Sequence, residues 1–112
     1  MITLQPHEKL LITLASAVQT DVIAEFSGGA VLNRSVATAS TFELDAAGLL
    51  LRLVIVAVGG GQTVTVKKSV TGNRTYQITP AIALTSGYAL YYDPTNGIRV
   101  LDTSGRIRTS TA

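Results

Sequence analysis

The chain has no cysteine, no tryptophan and a single histidine among 112 residues, and only 14% of its residues are charged. Without cysteine there is neither a disulfide framework nor a thiolate metal site. With His7 as the sole imidazole, the ordinary ligand sets for zinc cannot be assembled, and no metal or cofactor is predicted. A Ser/His/Asp site would have to recruit His7, which follows Pro6 ahead of the first apolar run. No Gly-x-Ser-x-Gly elbow exists to present a serine. The triplet Gly59-Gly60-Gly61 continues as Gln62-Thr63, where a phosphate loop needs Lys and then Ser or Thr, so it predicts a turn. Asp93 and Asp102 flank turns, where aspartates usually bind local backbone, and Glu43 and Asp45 stand apart from both. The expectation is a protein that is not an enzyme.

Long hydrophobic runs are also missing. The longest, Leu49 to Val58, contains Arg52 and is about half the ~20 residues a membrane helix needs. Met1 to Leu14 lacks a basic opening and is broken by Pro6-His7-Glu8-Lys9, so it does not read as a secretory leader. Charge at 14% compares with about 25% in an average soluble domain. The polar surface must therefore come from Thr and Ser, or part of the surface must be covered by a neighbour. A net charge of +2 is mild; Arg99, Arg106 and Arg108 could meet phosphate or an acidic patch on a partner, and nucleic acid is not the expected partner.

What is present is a succession of short apolar or alternating runs separated by Gly, Asn, Pro and Asp. Lys9 to Ala15 and Asp21 to Ser27 alternate with the period of two that marks half-buried strands. Leu49 to Val58, LLLRLVIVAV, is too short for a typical buried helix and is rich in β-branched residues, so it reads as a central strand covered on both faces. Arg52 must then lie near its end or meet a carboxylate, because a buried unpaired charge is costly. Gln62 to Val70 sets Val64, Val66 and Val70 against Thr63, Thr65 and Lys67, and the intervening glycines predict a hairpin with the preceding strand. Thr71-Gly72-Asn73 predicts a second turn, and Arg74 to Thr79 a returning strand. Strands at Tyr88 to Asp93 and Ile98 to Leu101 complete the pattern. About eight short strands over residues 1–112 predict one all-β domain, an antiparallel β-sandwich of jelly-roll type, with a lead-in over 1–8 and a polar tail over 106–112.

On a strand, Tyr88 and Tyr92 share one face with Leu90 at the core side, and Tyr91 takes the other. Tyr91, Arg99, Arg106 and Arg108 are the candidate interface residues, because exposed tyrosine and arginine are what protein interfaces favour.

The second half also resembles a group of small tailed-phage virion proteins. The carrying residues are Arg52-Leu53-Val54-Ile55-Val56, Val64-Thr65-Val66, Tyr76-Gln77-Ile78, Gly87-Tyr88-Ala89-Leu90-Tyr91-Tyr92, and the close Gly97-Ile98-Arg99-Val100-Leu101-Asp102-Thr103-Ser104-Gly105. Asp21-Val22-Ile23-Ala24-Glu25-Phe26 is similar to that group's second strand. The chain departs from the group at Gly59-Gly60-Gly61, where its members often carry Asp-Gly. The resemblance implies a β-sandwich component of a phage particle without assigned catalytic residues. The expected role is a capsid decoration (cement) protein or the base of a head spike or fibre, on the head exterior. Expected partners are the major capsid or other virion proteins and further copies of the chain, as a trimer or pentamer. A tail, neck or baseplate position is the near alternative. A carbohydrate-binding sandwich using Tyr88, Tyr91 or Tyr92 is the alternative from another class.

Overall fold

A computed structural model of the chain describes residues 2–70 and 74–111. It contains strands and turns, with no helix among the described residues. Two antiparallel sheets pack face to face as a single β-sandwich. The strands are β1 (Thr3–Leu4), β2 (Lys9–Leu14), β3 (Thr20–Phe26), β4 (Val31–Val36), β5 (Thr41–Leu44), β6 (Gly48–Ala57), β7 (Gln62–Val70), β8 (Arg74–Gln77), β9 (Ile82–Leu84), β10 (Ala89–Asp93), β11 (Gly97–Leu101) and β12 (Ile107–Thr111). The larger sheet runs β12-β11-β10-β6-β3-β4, with β1 also paired to β6; the smaller runs β5-β2-β7-β8, with β9 also paired to β7. The count exceeds eight because β1 and β9 are short pieces that sequence periodicity does not resolve, and because β12 forms in the segment expected to be a polar tail.

Alternation does most of the building. β2 buries Leu10, Ile12 and Leu14, and β3 buries Val22, Ala24 and Phe26. From the smaller sheet Val64 and Val66 face Leu53, Ile55 and Ala57 of the larger, and Leu44, Leu84 and Leu90 join the same core. β6 is the central strand of its sheet, between β3 and β10, as its composition predicts. The register shifts between Glu25 and Phe26, so that Leu51 is an extra residue opposite them. This bulge lets Leu50 and Leu53 both face inward.

The Gly59-Gly60-Gly61 turn differs from the predicted hairpin. β6 and β7 do not pair; they lie in opposite sheets, and β7 pairs instead with β2, β8 and β9. The glycines form a corner that carries the chain across the sandwich. Val58 and Gly59 donate their N–H groups to the Gln19 carbonyl at 2.9 and 3.0 Å. A Cβ on Gly59 would stand 2.9 Å from the Gln19 nitrogen, so the approach requires glycine. Gln62, buried just past the corner, fixes the crossing. Its amide donates to the Ser16 carbonyl (2.8 Å) and the Thr20 hydroxyl (3.1 Å), and its oxygen accepts from the N–H groups of Ser16 and Thr63. All four hydrogen-bonding positions of the side chain are used.

Both chain ends are built into the larger sheet. Ile2 and Leu4 are buried, and the Ile2 N–H donates to the hydroxyl of buried Tyr92 at 3.0 Å. Glu8 accepts from the Gln5 N–H at 2.8 Å and pairs with Lys68 at 3.1 Å, which ties this segment to β7. At the other end, residues 107–111 form the edge strand β12, turned back by Asp102, whose carboxylate accepts from the N–H groups of Ser104 and Arg106. The predicted Thr71-Gly72-Asn73 turn lies outside the described residues; β7 and β8 pair on either side of it, Val70 with Arg74.

Ile55 is fully buried and Val56, its neighbour on β6, is half-buried on the opposite face. Ile55→Ala should cost about 2–5 kcal/mol of unfolding free energy and Val56→Ala under about 1 kcal/mol. Urea denaturation of both variants measures the difference; equal losses would place the core on the wrong face.

Candidate interaction surface

The outward face of the larger sheet follows from the strand registers. Asn33, Ile23, Val54, Tyr91 and Arg99 stand side by side across β4, β3, β6, β10 and β11. The next row is Ser35, Asp21, Val56, Ala89, Leu101 and Ile107. Ile23, Val54, Val56 and Leu101 are half-buried at the centre of this face, and Ile107 is 59% exposed. Leu51 in the bulge and Val58 beyond the end of β6 are 43% and 49% exposed. The strand expected to be covered on both faces is covered on one: the sandwich has two layers, and the second layer reaches only the inner side of β6.

Polar groups frame this aliphatic centre. Arg52 meets the Glu25 carboxylate at 2.8 Å, which is the carboxylate its position demanded. The Tyr91 hydroxyl and the Glu25 charge both favour the protonated guanidinium and raise its pKa. At more than a third exposure such a pair contributes roughly 1 kcal/mol or less; what it does is leave no unpaired charge on the face. Arg99 lies over the Tyr91 ring, 4.8 Å from its centroid, and reaches Asp93 at 2.5 Å. Glu25, Arg52, Tyr91, Arg99 and Asp93 therefore form one connected, nearly neutral band across four neighbouring strands, β3, β6, β10 and β11.

Of the residues singled out in the sequence, Tyr91 and Arg99 are brought together on this face. Arg106 and Arg108 are exposed beside the β12 edge, with Arg108 4.0 Å from Asp102. Tyr92 is buried and half-buried Tyr88 packs against the core. Ile23, Val56 and Leu101 are the members of the face that sequence reasoning did not single out. Their signal was the outward parity of β3, β6 and β11, which strand alternation supplies once the inner face is known.

His7 is exposed and Glu43 pairs with Lys9 at 3.0 Å. Among the described residues no three His, Cys, Asp or Glu side chains gather where a metal could sit, and no helix is long and apolar enough to cross a membrane. A shallow groove of about 400 Å³ between β3 and β4 is lined by Asp21, Val22, Ile23, Asn33, Arg34 and Ser35. No protein-family model, no curated protein and no solved structure matches this chain.

The pKa of Asp93 lies below its ordinary 3.8, chiefly because its carboxylate accepts from the Asn96 N–H, with the Arg99 charge and the Thr95 N–H adding to the effect. Glu8 lies below its ordinary 4.5, chiefly through the Gln5 N–H. For a depressed carboxyl the folded chain binds fewer protons than the unfolded one, so the stabilisation is complete above the ordinary pKa and is lost as pH falls through the folded value. Stability should decline as pH drops below about 4.5, and Asp93→Asn should flatten the part of that decline below pH 3.8. Denaturation midpoints measured against pH for both proteins give the comparison; identical acid limbs would contradict the assignment.

Proposed function

We propose that the chain is a non-enzymatic structural subunit of a phage particle that works by packing the outward face of its larger sheet against other virion proteins. The observation that carries this is β6: a ten-residue strand aliphatic on both sides, buried on one side and half-open on the other. A strand of this composition normally has cover on both faces. Contiguous apolar surface rimmed by polar groups is the usual form of a protein-binding patch. The paired charges of Arg52 and Arg99 suit the same use, since both already have their carboxylates and neither is left bare when a partner excludes water.

The resemblance of the second half of the chain to small virion proteins supplies the setting. In it, the subunit decorates the head exterior or forms the base of a head spike or fibre, with capsid proteins and further copies of the chain as partners. A tail, neck or baseplate position would use the same face. Sugar stacking on Tyr91 is disfavoured by its own surroundings, because Arg99 already occupies one side of the ring.

The test adds purified protein to particles lacking it and measures retention after sedimentation. Val54→Lys/Val56→Lys should fold with an unchanged circular dichroism spectrum and bind at least tenfold more weakly. Binding undiminished by this change, or particles equally stable and complete without the protein, would reject the proposal.

A further inference from the structure

Six strands end or interrupt the sheets, and they are guarded unequally. β1, β8 and β9 are short, β5 spans four residues and carries the Glu43–Lys9 pair, and β12 has a register shift beside it, contains Arg108 and follows Arg106. These are ordinary ways of blocking an open edge. β4 has the least of them, a single arginine. It runs six residues in unbroken register with β3, contains no proline, carries Arg34 as its only charge and exposes Val31 by 55%. It is the last strand of the larger sheet, so one side of its backbone is unpaired.

Which groups are free follows from the turn that precedes it. Phe26 donates its N–H to the Ala30 carbonyl at 2.9 Å, and Gly29, at φ +91°, donates to the Phe26 carbonyl at 3.0 Å. This is a three-residue hairpin loop closed by a glycine bulge. It makes Phe26 and Ala30 a hydrogen-bonded pair. By alternation Leu32, Arg34 and Val36 also turn their backbone groups toward β3. The N–H and C=O groups of Val31, Asn33 and Ser35 therefore point to the open edge.

We propose that β4 is a two-fold seam, at which it pairs antiparallel with β4 of a second copy about an axis through Asn33. In that register Asn33 and the partner's Asn33 each donate an N–H to the other's carbonyl. Val31 and Ser35 pair with the partner's Ser35 and the partner's Val31. All three outward-facing residues on each side are used. Charge selects this register over its neighbour: here Arg34 lies opposite the partner's Leu32, whereas sliding the axis to Arg34 would oppose two guanidiniums. The strand is self-complementary, which a two-fold interface requires. Because the axis is perpendicular to the sheet, the outward faces of both copies end on the same side. The seam stands on strand geometry alone and does not depend on the sheet-face reading, but it would give that face two-point attachment.

The mass of the protein in solution, followed by native mass spectrometry and sedimentation up to hundreds of micromolar, should reach twice 11.7 kDa. Asn33→Pro removes an N–H that β3 does not use, so it should keep the monomer's spectrum and weaken dimerisation at least tenfold. Should that variant not fold, Val31→Lys/Ser35→Lys sets like charges opposite each other at both ends of the seam, while each new lysine has Glu25 or Asp21 beside it in its own chain. In a chain without cysteine, Asn33→Cys should oxidise readily to a linked dimer and Val31→Cys should not. A monomer at every concentration, a mass of three or five chains, or a dimer indifferent to these changes would overturn the seam. Each of these results leaves the particle-binding test untouched.

Discussion

One constraint shapes the molecule: a strand of ten almost wholly aliphatic residues needs cover on two sides, and a two-layer sandwich supplies it on one. The inner side of β6 organises the core, with Leu53, Ile55 and Ala57 meeting the valines of β7. The outer side is left as a half-open aliphatic surface. Low charge, abundant threonine and the paired ions around that surface are consistent with this arrangement. A monomer meant only to stay dissolved would place lysine and glutamate at the positions of Ile23, Val54, Val56 and Leu101.

Arg52 illustrates how the strand tolerates a charge. The bulge at Leu51 turns it outward, and Glu25 on the neighbouring strand neutralises it. The same logic repeats two strands over, on β11, where Arg99 spans Tyr91 and Asp93 of β10. The Arg52–Glu25 pair adds little stability at its exposure. Together the two pairs let a largely apolar face carry two guanidiniums without a bare charge in a later interface.

Local pattern made much of this legible. The central placement of β6 follows from its apolar, β-branched composition, the carboxylate beside Arg52 from the cost of a bare charge, and the inward turn of Val64, Val66 and Tyr92 from alternation over a few residues. What was not legible depends on contacts between distant residues. A run of three glycines between two strands permits a hairpin or a sheet-to-sheet corner, and Gln19, about forty residues away, decides for the corner. The docking of Ile2 beneath Tyr92 joins residues 90 positions apart. The tail beyond Gly105 looked merely polar because an edge strand needs no apolar face to be held by its backbone. The candidate face was half legible: Tyr91 and Arg99 stood out by type, whereas Ile23, Val56 and Leu101 became part of it only once the sheet order aligned them.

The most direct test of the account is hydroxyl-radical footprinting of the outward face, comparing the free protein with the protein added to the phage particles of the proposed function. Ile23, Val54, Tyr91 and Leu101 should be oxidised in the free protein and protected in the assembly, while Leu11 and Tyr76 on the smaller sheet change less. Equal oxidation of the four residues in both states would show that the face stays open, and would contradict a protein built to have it covered.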